Sequence, residues 1–182
     1  MSITHRVEIF RGRRVRLYVE EHLLPNGNKA LREVIRFPNS VVILPLITFD
    51  KVVLLYQYRP AIRRWIYELP AGIIEGNEDP METASRELIE ETGYKAGTLK
   101  QVFSMYLAPG YSTEYMYAFI AYDLKEVGAK PEPYEVIKRE IISIDRALEM
   151  IKNHEIIDAK TIALILYYAY NKNNIISILK NR

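Results

Sequence analysis

The chain of 182 residues contains no cysteine. That absence excludes a disulfide framework, a thiolate metal site and a cysteine nucleophile, so chemistry has to come from carboxylates, histidines, hydroxyls or a bound metal. An excess of either charge is also missing: 25 Lys and Arg stand against 23 Asp and Glu, a formal net charge of +2. Proteins that grip nucleic acid or an anionic membrane usually carry a clustered basic footprint, so nucleic acid is not an expected partner. No apolar run approaches the ~18 residues a membrane span needs, and the opening Met1-Ser2-Ile3-Thr4-His5-Arg6 lacks the apolar core of a signal peptide. The expectation is a cytoplasmic protein with no membrane partner. Its three histidines, His5, His22 and His154, fall at no metal-ligand spacing. What remains is an ordinary globular composition, long enough for one substantial core and a small appendage.

Residues 6–37 read as short strands. Val7 and Ile9, then Val15, Leu17 and Val19, alternate with charged neighbours, Gly12 breaks the run, and Pro25-Asn26-Gly27-Asn28 is a second turn before Leu31 to Phe37. Within this unit Arg11, Arg13, Arg14 and Arg16 read as a solvated strand face. After Pro38 the texture changes to the nearly continuous apolar runs Val41–Ile47 and Val52–Tyr56, as strands buried on both faces require. The boundaries are therefore 1–38 for an N-terminal antiparallel unit and 39–182 for the main domain. Further strands are expected at 65–69, 99–107, 114–122 and 137–142. A helix over 80–92 has Asp79 as N-cap, Pro80 in its first position, Glu82 three residues after the cap and Gly93 as terminator. Two more helices close the chain, one capped by Ser143 and one beginning near Asp158. The pattern allows an α/β or α+β sandwich, a mixed sheet between helices.

The densest chemistry lies at Gly72-Ile73-Ile74-Glu75-Gly76-Asn77-Glu78 and Arg86-Glu87-Leu88-Ile89-Glu90-Glu91-Thr92-Gly93. On an α-helix Glu87 and Glu91 are only about 40° apart, with Glu90 about 60° to the other side of Glu87. Like charges at this spacing destabilise a helix by a few tenths of a kcal/mol each, so a cation is expected among them. Arg86 can pair with some of these carboxylates but cannot neutralise them all. Hard divalent cations take all-oxygen ligands, and Mg²⁺ is commonly held by one or two carboxylates plus substrate phosphates. A Mg²⁺ or Mn²⁺ site for a phosphorylated ligand is the reading.

The same spacing (Gly72, five residues, Glu78, seven residues, Arg86-Glu87, an aliphatic, any residue, Glu90-Glu91, any residue, Gly93) resembles the Nudix box at every invariant position, with Tyr94 as an aromatic departure just beyond it. The resemblance implies the Nudix fold, more than one bound ion, and hydrolysis of a nucleoside diphosphate linked to another moiety. Glu87 and Glu91 would be principal metal ligands, Glu90 an additional one and the Ala71 carbonyl a further position, with Glu78 and Arg86 as organisers.

Gln57-Tyr58-Arg59-Pro60, Glu68-Leu69-Pro70-Ala71-Gly72 and Ala108-Pro109-Gly110-Tyr111-Ser112 are similar to ADP-ribose pyrophosphatases. That resemblance implies ADP-ribose as substrate, AMP and ribose 5-phosphate as products, and a homodimer in which the N-terminal unit is exchanged between subunits. It places Arg59, Glu68, Pro109 and Gly110 at the substrate. Arg59 would meet a phosphate, which a guanidinium matches bidentately. Phe10 and Tyr18 are candidates for stacking on adenine. The subfamily's general base comes from the loop 131–137, with Glu135 as the assignment and Glu132 in reserve. The alternatives are a broader nucleoside-diphosphate-sugar or dinucleotide hydrolase and a non-catalytic ligand or RNA-binding module, which predicts erosion of Glu87, Glu90 or Glu91.

Overall fold

The computed structural model describes residues 2–130 and 136–180. Strands β1 (Ser2–Arg11), β2 (Arg16–Leu23) and β3 (Lys29–Arg36) form a three-stranded antiparallel sheet of their own. Gly12 donates to the Val15 carbonyl across the first hairpin (2.8 Å), and Gly27 takes φ 83° in the second, a left-handed position that favours glycine.

The main sheet is mixed. Its path is β10-β5-β4-β9-β8, built from β4 (Ser40–Thr48), β5 (Lys51–Arg59), β8 (Tyr94–Tyr106), β9 (Tyr115–Glu126) and β10 (Ile137–Ser143), with β4 and β9 parallel. Strands β8 and β9 are longer than the sequence pattern suggests. Alternate residues of β4 feed two cores: Val41 and Ile43 pack toward Ala84 of α1 (Pro80–Glu87) and Leu88 just after it, while Val42, Leu44 and Leu46 pack toward α2 (Ile144–Lys152) and α3 (Ala159–Lys180). Burial on both faces explains the unbroken apolar run.

A split in this sheet makes room for a site. Strands β4 and β5 pair only beside their hairpin, at Leu46 with Val52 and Thr48 with Lys51. Farther out, β6 (Arg64–Glu68) adds to β5 and β7 (Ala71–Ile73) adds to β4. Leu69-Pro70 carries the chain across the gap. The crossing is pinned on both sides, by Ile43 N–H to the Pro70 carbonyl (2.9 Å) and by Leu69 N–H to Thr161 Oγ1 (2.8 Å).

The expected caps are present. Asp79 accepts from Met81 N–H (2.8 Å) and Glu82 reaches back in a capping box, Ser143 caps α2 (3.0 Å) and Asp158 caps α3 through Thr161 N–H (3.0 Å). The helix expected at 80–92 requires a correction. It is α-helical only through Glu87, and Leu88–Thr92 is a π turn closed by Gly93 at φ 73°. Thr92 Oγ1 bonds the Leu88 carbonyl within that turn, the kind of local side-chain bond that competes with a regular helix. Such π insertions are frequent at functional sites. No helix among the described residues is long and apolar enough to cross a membrane.

Candidate active site

The split opens onto a cavity of about 250 Å³. One wall comes from the box. Arg86 sits at its centre, giving Nε and Nη2 to Glu78 (3.0 and 3.1 Å), Nη1 to both Glu87 (2.6 Å) and Glu90 (3.0 Å), and Nη2 to the Ile73 carbonyl (3.3 Å). Glu78 also accepts from Thr83 Oγ1 (2.8 Å) and Glu75 N–H (3.4 Å). The Arg86 hydrogen bonds, helped by these donors, hold the Glu78 carboxyl at about 2, and the three acceptors raise the Arg86 guanidinium above its ordinary value. Arg86 therefore ties the loop 72–78 to the helix.

The three box carboxylates are not equivalent. Glu87 and Glu90 line the cavity, whereas Glu91 is 3% exposed and accepts the Ala71 N–H at 2.9 Å. Glu87 ends the α-helix while Glu90 and Glu91 lie within the π turn, so the regular α-helical carboxylate face expected from the spacing is not formed. Gly72 closes against Glu87: a Cβ at this position would lie 2.0 Å from the carboxyl group, so a larger residue there would displace the Glu87 side chain.

The opposite wall is cationic. Arg59 and Lys160 both line the cavity. Behind them Glu68 is buried, accepting Nε and Nη2 of Arg59 (2.5 and 2.8 Å) and the Lys160 ammonium. Burial alone would push the Glu68 carboxyl up, but the Arg59 hydrogen bonds and the Lys160 charge outweigh it and hold it below its usual range. Arg59 is raised, chiefly by the Glu68 bond. Of the four residues assigned to substrate, Arg59 thus stands at the surface of the cavity and Glu68 beneath it.

Glu114, Arg14 and Phe37 also line the cavity and belong to no motif. Glu114 follows the 107–113 loop, bonds Ser40 Oγ (2.8 Å) and is pushed up by burial against the weaker downward pull of Ser40 and Lys160. Arg14 belongs to the β1–β2 turn and reaches the cavity, as does Phe37 after β3. Arg14 is exposed, as expected, but it stands in the turn and not on a strand face. Pro109 and Gly110 are exposed in the turn where the Ala108 carbonyl accepts Tyr111 and Ser112 N–H (3.1 and 2.8 Å), outside the cavity lining. This loop also binds β3, with Ile35 N–H on the Tyr111 carbonyl (2.7 Å) and Thr113 N–H on the Ile35 carbonyl (3.0 Å). Of the adenine candidates, Phe10 is exposed, while Tyr18 is buried with the Arg6 and Arg36 guanidinium groups 5.3 and 5.8 Å from its ring centre. Glu132 and Glu135 lie outside the described residues.

Residues 36–165 match the family model of the NUDIX domain, covering the split sheet, the box and both walls of the cavity. The chain belongs to the Nudix family. This Nudix chain is 36% identical over 162 residues, 88% of each chain, to the ADP-ribose pyrophosphatase of Bacillus subtilis (strain 168). It is 37% identical over an equal span, again 88% of each, to the methanol dehydrogenase activator of Bacillus methanolicus. A solved structure described as that of an ADP compounds hydrolase superposes with a TM-score of 0.83 over 95% of both chains at 21% identity, which establishes the shared fold. The protein is a Nudix pyrophosphohydrolase.

The box suits a hard cation by its donors, all of them oxygen, with the Glu87 carboxyl group drawn up against Gly72 at the cavity wall. Among the described residues no three acidic or histidine side chains already converge as a metal cluster. Arg86 occupies Glu87 and Glu90 instead.

Proposed function

We propose that this Nudix hydrolase cleaves the diphosphate of ADP-ribose to AMP and ribose 5-phosphate with Mg²⁺ or Mn²⁺ bound at the box. The observation that carries this reading is the pairing of walls across one cavity, carboxylates of Glu87 and Glu90 on one side and Arg59 and Lys160 on the other. A diphosphate brought between them meets both the Arg59 guanidinium and the ions of the box. Glu87, Glu90, Glu91 and the Ala71 carbonyl would hold those ions, which when bound neutralise phosphate charge and acidify water. Arg59 contacts a phosphate, and Glu68 acts behind it. Hydrolysis adds water to one phosphorus, breaks the bond to the bridging oxygen and leaves the water's proton for a base.

Glu135 is the base in this reading, with Glu132 in reserve. Support comes from both ends of their segment: Lys130 N–H bonds the Glu90 carbonyl (3.0 Å), and the Val136 carbonyl accepts Tyr58 N–H (3.2 Å). The chain on either side is therefore tied to the metal-binding turn and to the strand that carries Arg59.

The protein works as a cytoplasmic homodimer in this proposal. Ile3, Val7, Ile9 and Phe10 of β1 and Leu31 of β3 are exposed apolar residues on a sheet too thin to bury them. A second copy would cover them. The identity with an ADP-ribose pyrophosphatase over most of both chains supports the choice of substrate.

The test is incubation with ADP-ribose and a panel of other nucleoside diphosphate sugars and dinucleotides, with products identified by mass. AMP and ribose 5-phosphate should form fastest from ADP-ribose and only with the divalent ion present. Undiminished turnover in excess chelator, or a clear preference for another member of the panel, would overturn the corresponding part.

A further inference from the structure

Glu68 is 1% exposed and is shared between two cations, Arg59 nearby in sequence and Lys160 far along the chain. The Lys160 ammonium that bonds it also bonds Asp158 Oδ1 (2.9 Å), while Asp158 Oδ2 caps α3 on Thr161 N–H (3.0 Å). Thr161 is wholly buried, and its Oγ1 accepts the N–H of Leu69, the residue after Glu68. The first turn of α3 is thus bonded to the Glu68-Leu69 crossing by both a side chain and the backbone.

The charges in this arrangement constrain Arg59. A buried carboxylate with a single cationic partner forms a closed pair, and a phosphate must then compete with that carboxylate for the guanidinium. A second cation divides the attraction. Lys160 supplies it with a side chain only 11% exposed, and the charge of Asp158, which would otherwise cancel Lys160, is engaged by the positive end of α3.

We propose that Lys160 is a positioning residue that acts through Glu68, holding Arg59 at the cavity wall while leaving its guanidinium available to a substrate phosphate. The inference rests on the reading of Arg59 as the phosphate contact. Lys160 reaches Glu68 across 92 residues of sequence, and the residue pair has no motif spacing.

Binding of ADP-ribose measured by calorimetry in excess chelator, with steady-state kinetics of the metal-loaded protein beside it, tests the proposal. Lys160→Met keeps the aliphatic stem and should raise Kd and KM about 10-fold with kcat changed no more than about 3-fold, the signature of lost uniform binding. Lys160→Arg should restore most of the affinity. Combining Lys160→Met with Glu68→Gln should bind more tightly than Lys160→Met alone, because the carboxylate that competes for Arg59 is then gone. A purely structural role would instead lower the melting temperature and leave the two substitutions additive. Lys160→Gln carries the same expectation as Lys160→Met should the latter fold poorly. Arg59→Gln separates the two levels. If it leaves Kd unchanged, the phosphate contact and the brace both fall. If it weakens binding 10-fold or more while Lys160→Met and Lys160→Gln do not, the contact stands and the brace is overturned.

Discussion

Strands β1 and β4 are of similar length, yet every residue of β1, its four apolar side chains included, is exposed while seven of the nine in β4 are buried. The difference lies in what covers them. Helix α1 lies on one face of β4 and helices α2 and α3 on the other, whereas β1 is the outer strand of a single layer. On the inner strand of that layer Glu20 is buried, paired with Arg6 (2.8 Å), His22 (3.0 Å) and Arg36 (3.4 Å). The main domain is held by apolar packing, whereas the N-terminal sheet adds ion pairs to its backbone ladders and keeps the exposed face proposed above to meet a second copy. Both nonetheless supply the same cavity, Arg14 and Phe37 from the thin region and the box carboxylates from the thick one.

Removing the thin region is the most severe way to break this comparison. Deletion of residues 1–37 should abolish both ADP-ribose binding and dimerisation, read by calorimetry and by analytical ultracentrifugation. A fully active monomer would show the N-terminal sheet to be dispensable.

Substitutions in the thick region should be nearly as damaging to turnover and leave assembly intact. Glu91→Gln and Glu87→Gln should each lose most of the activity, and Glu78→Gln less, because Glu78 orients Arg86 and its neighbours. Equal losses with the fold preserved would remove that division of labour. Glu135→Gln should lower kcat by about 10²–10⁴ with KM nearly unchanged, as expected of a positioned base, and Glu132→Gln should be mild. The reverse order would move the base by three residues.

Packing offers a sharper test. Leu44→Ala, in a wholly buried site of β4, should cost about 2–5 kcal/mol in chemical denaturation. Phe10→Ser in β1 should change the stability of the monomer by no more than about 0.5 kcal/mol while weakening the dimer. Comparable losses in both would mean that β1 is packed after all.

The smallest effect concerns acid. Glu78 is held at about 2 in the folded protein, below its ordinary 4.5, so its contribution is complete above about pH 4.5 and disappears as pH falls toward 2. A Glu78→Gln variant should have a flatter dependence of Tm on pH in that window than the wild type. Parallel curves would show that the Arg86 bond contributes nothing to stability.

Local chemistry made much of this legible in advance. The buried runs of β4 and β5, the caps at Asp79 and Ser143, the start of the last helix near Asp158, and the box spacing all depend on neighbours within a few residues, and such signals survive in a one-dimensional string. The π turn did not, because the bond from Thr92 to the Leu88 carbonyl and the left-handed Gly93 override a pattern that α-helical periodicity also satisfies. Arg14 was misleading for a related reason: its alternation with Val15 and Leu17 describes a strand, while the chain turns there.

By itself the sequence determined the family, the fold class and the identity of the carboxylates, since those rest on residue types at short intervals. Only the tertiary structure decided that Glu91 turns inward while Glu87 and Glu90 face the cavity, and that Arg14, Glu114 and Lys160 join them. Those placements arise where β4 and β5 part and Leu69-Pro70 crosses between them, bringing together residues whose separation along the chain exceeds 140 positions in the case of Arg14 and Lys160. No spacing rule reaches that far, because the distance between two such side chains is set by the path of every strand that lies between them.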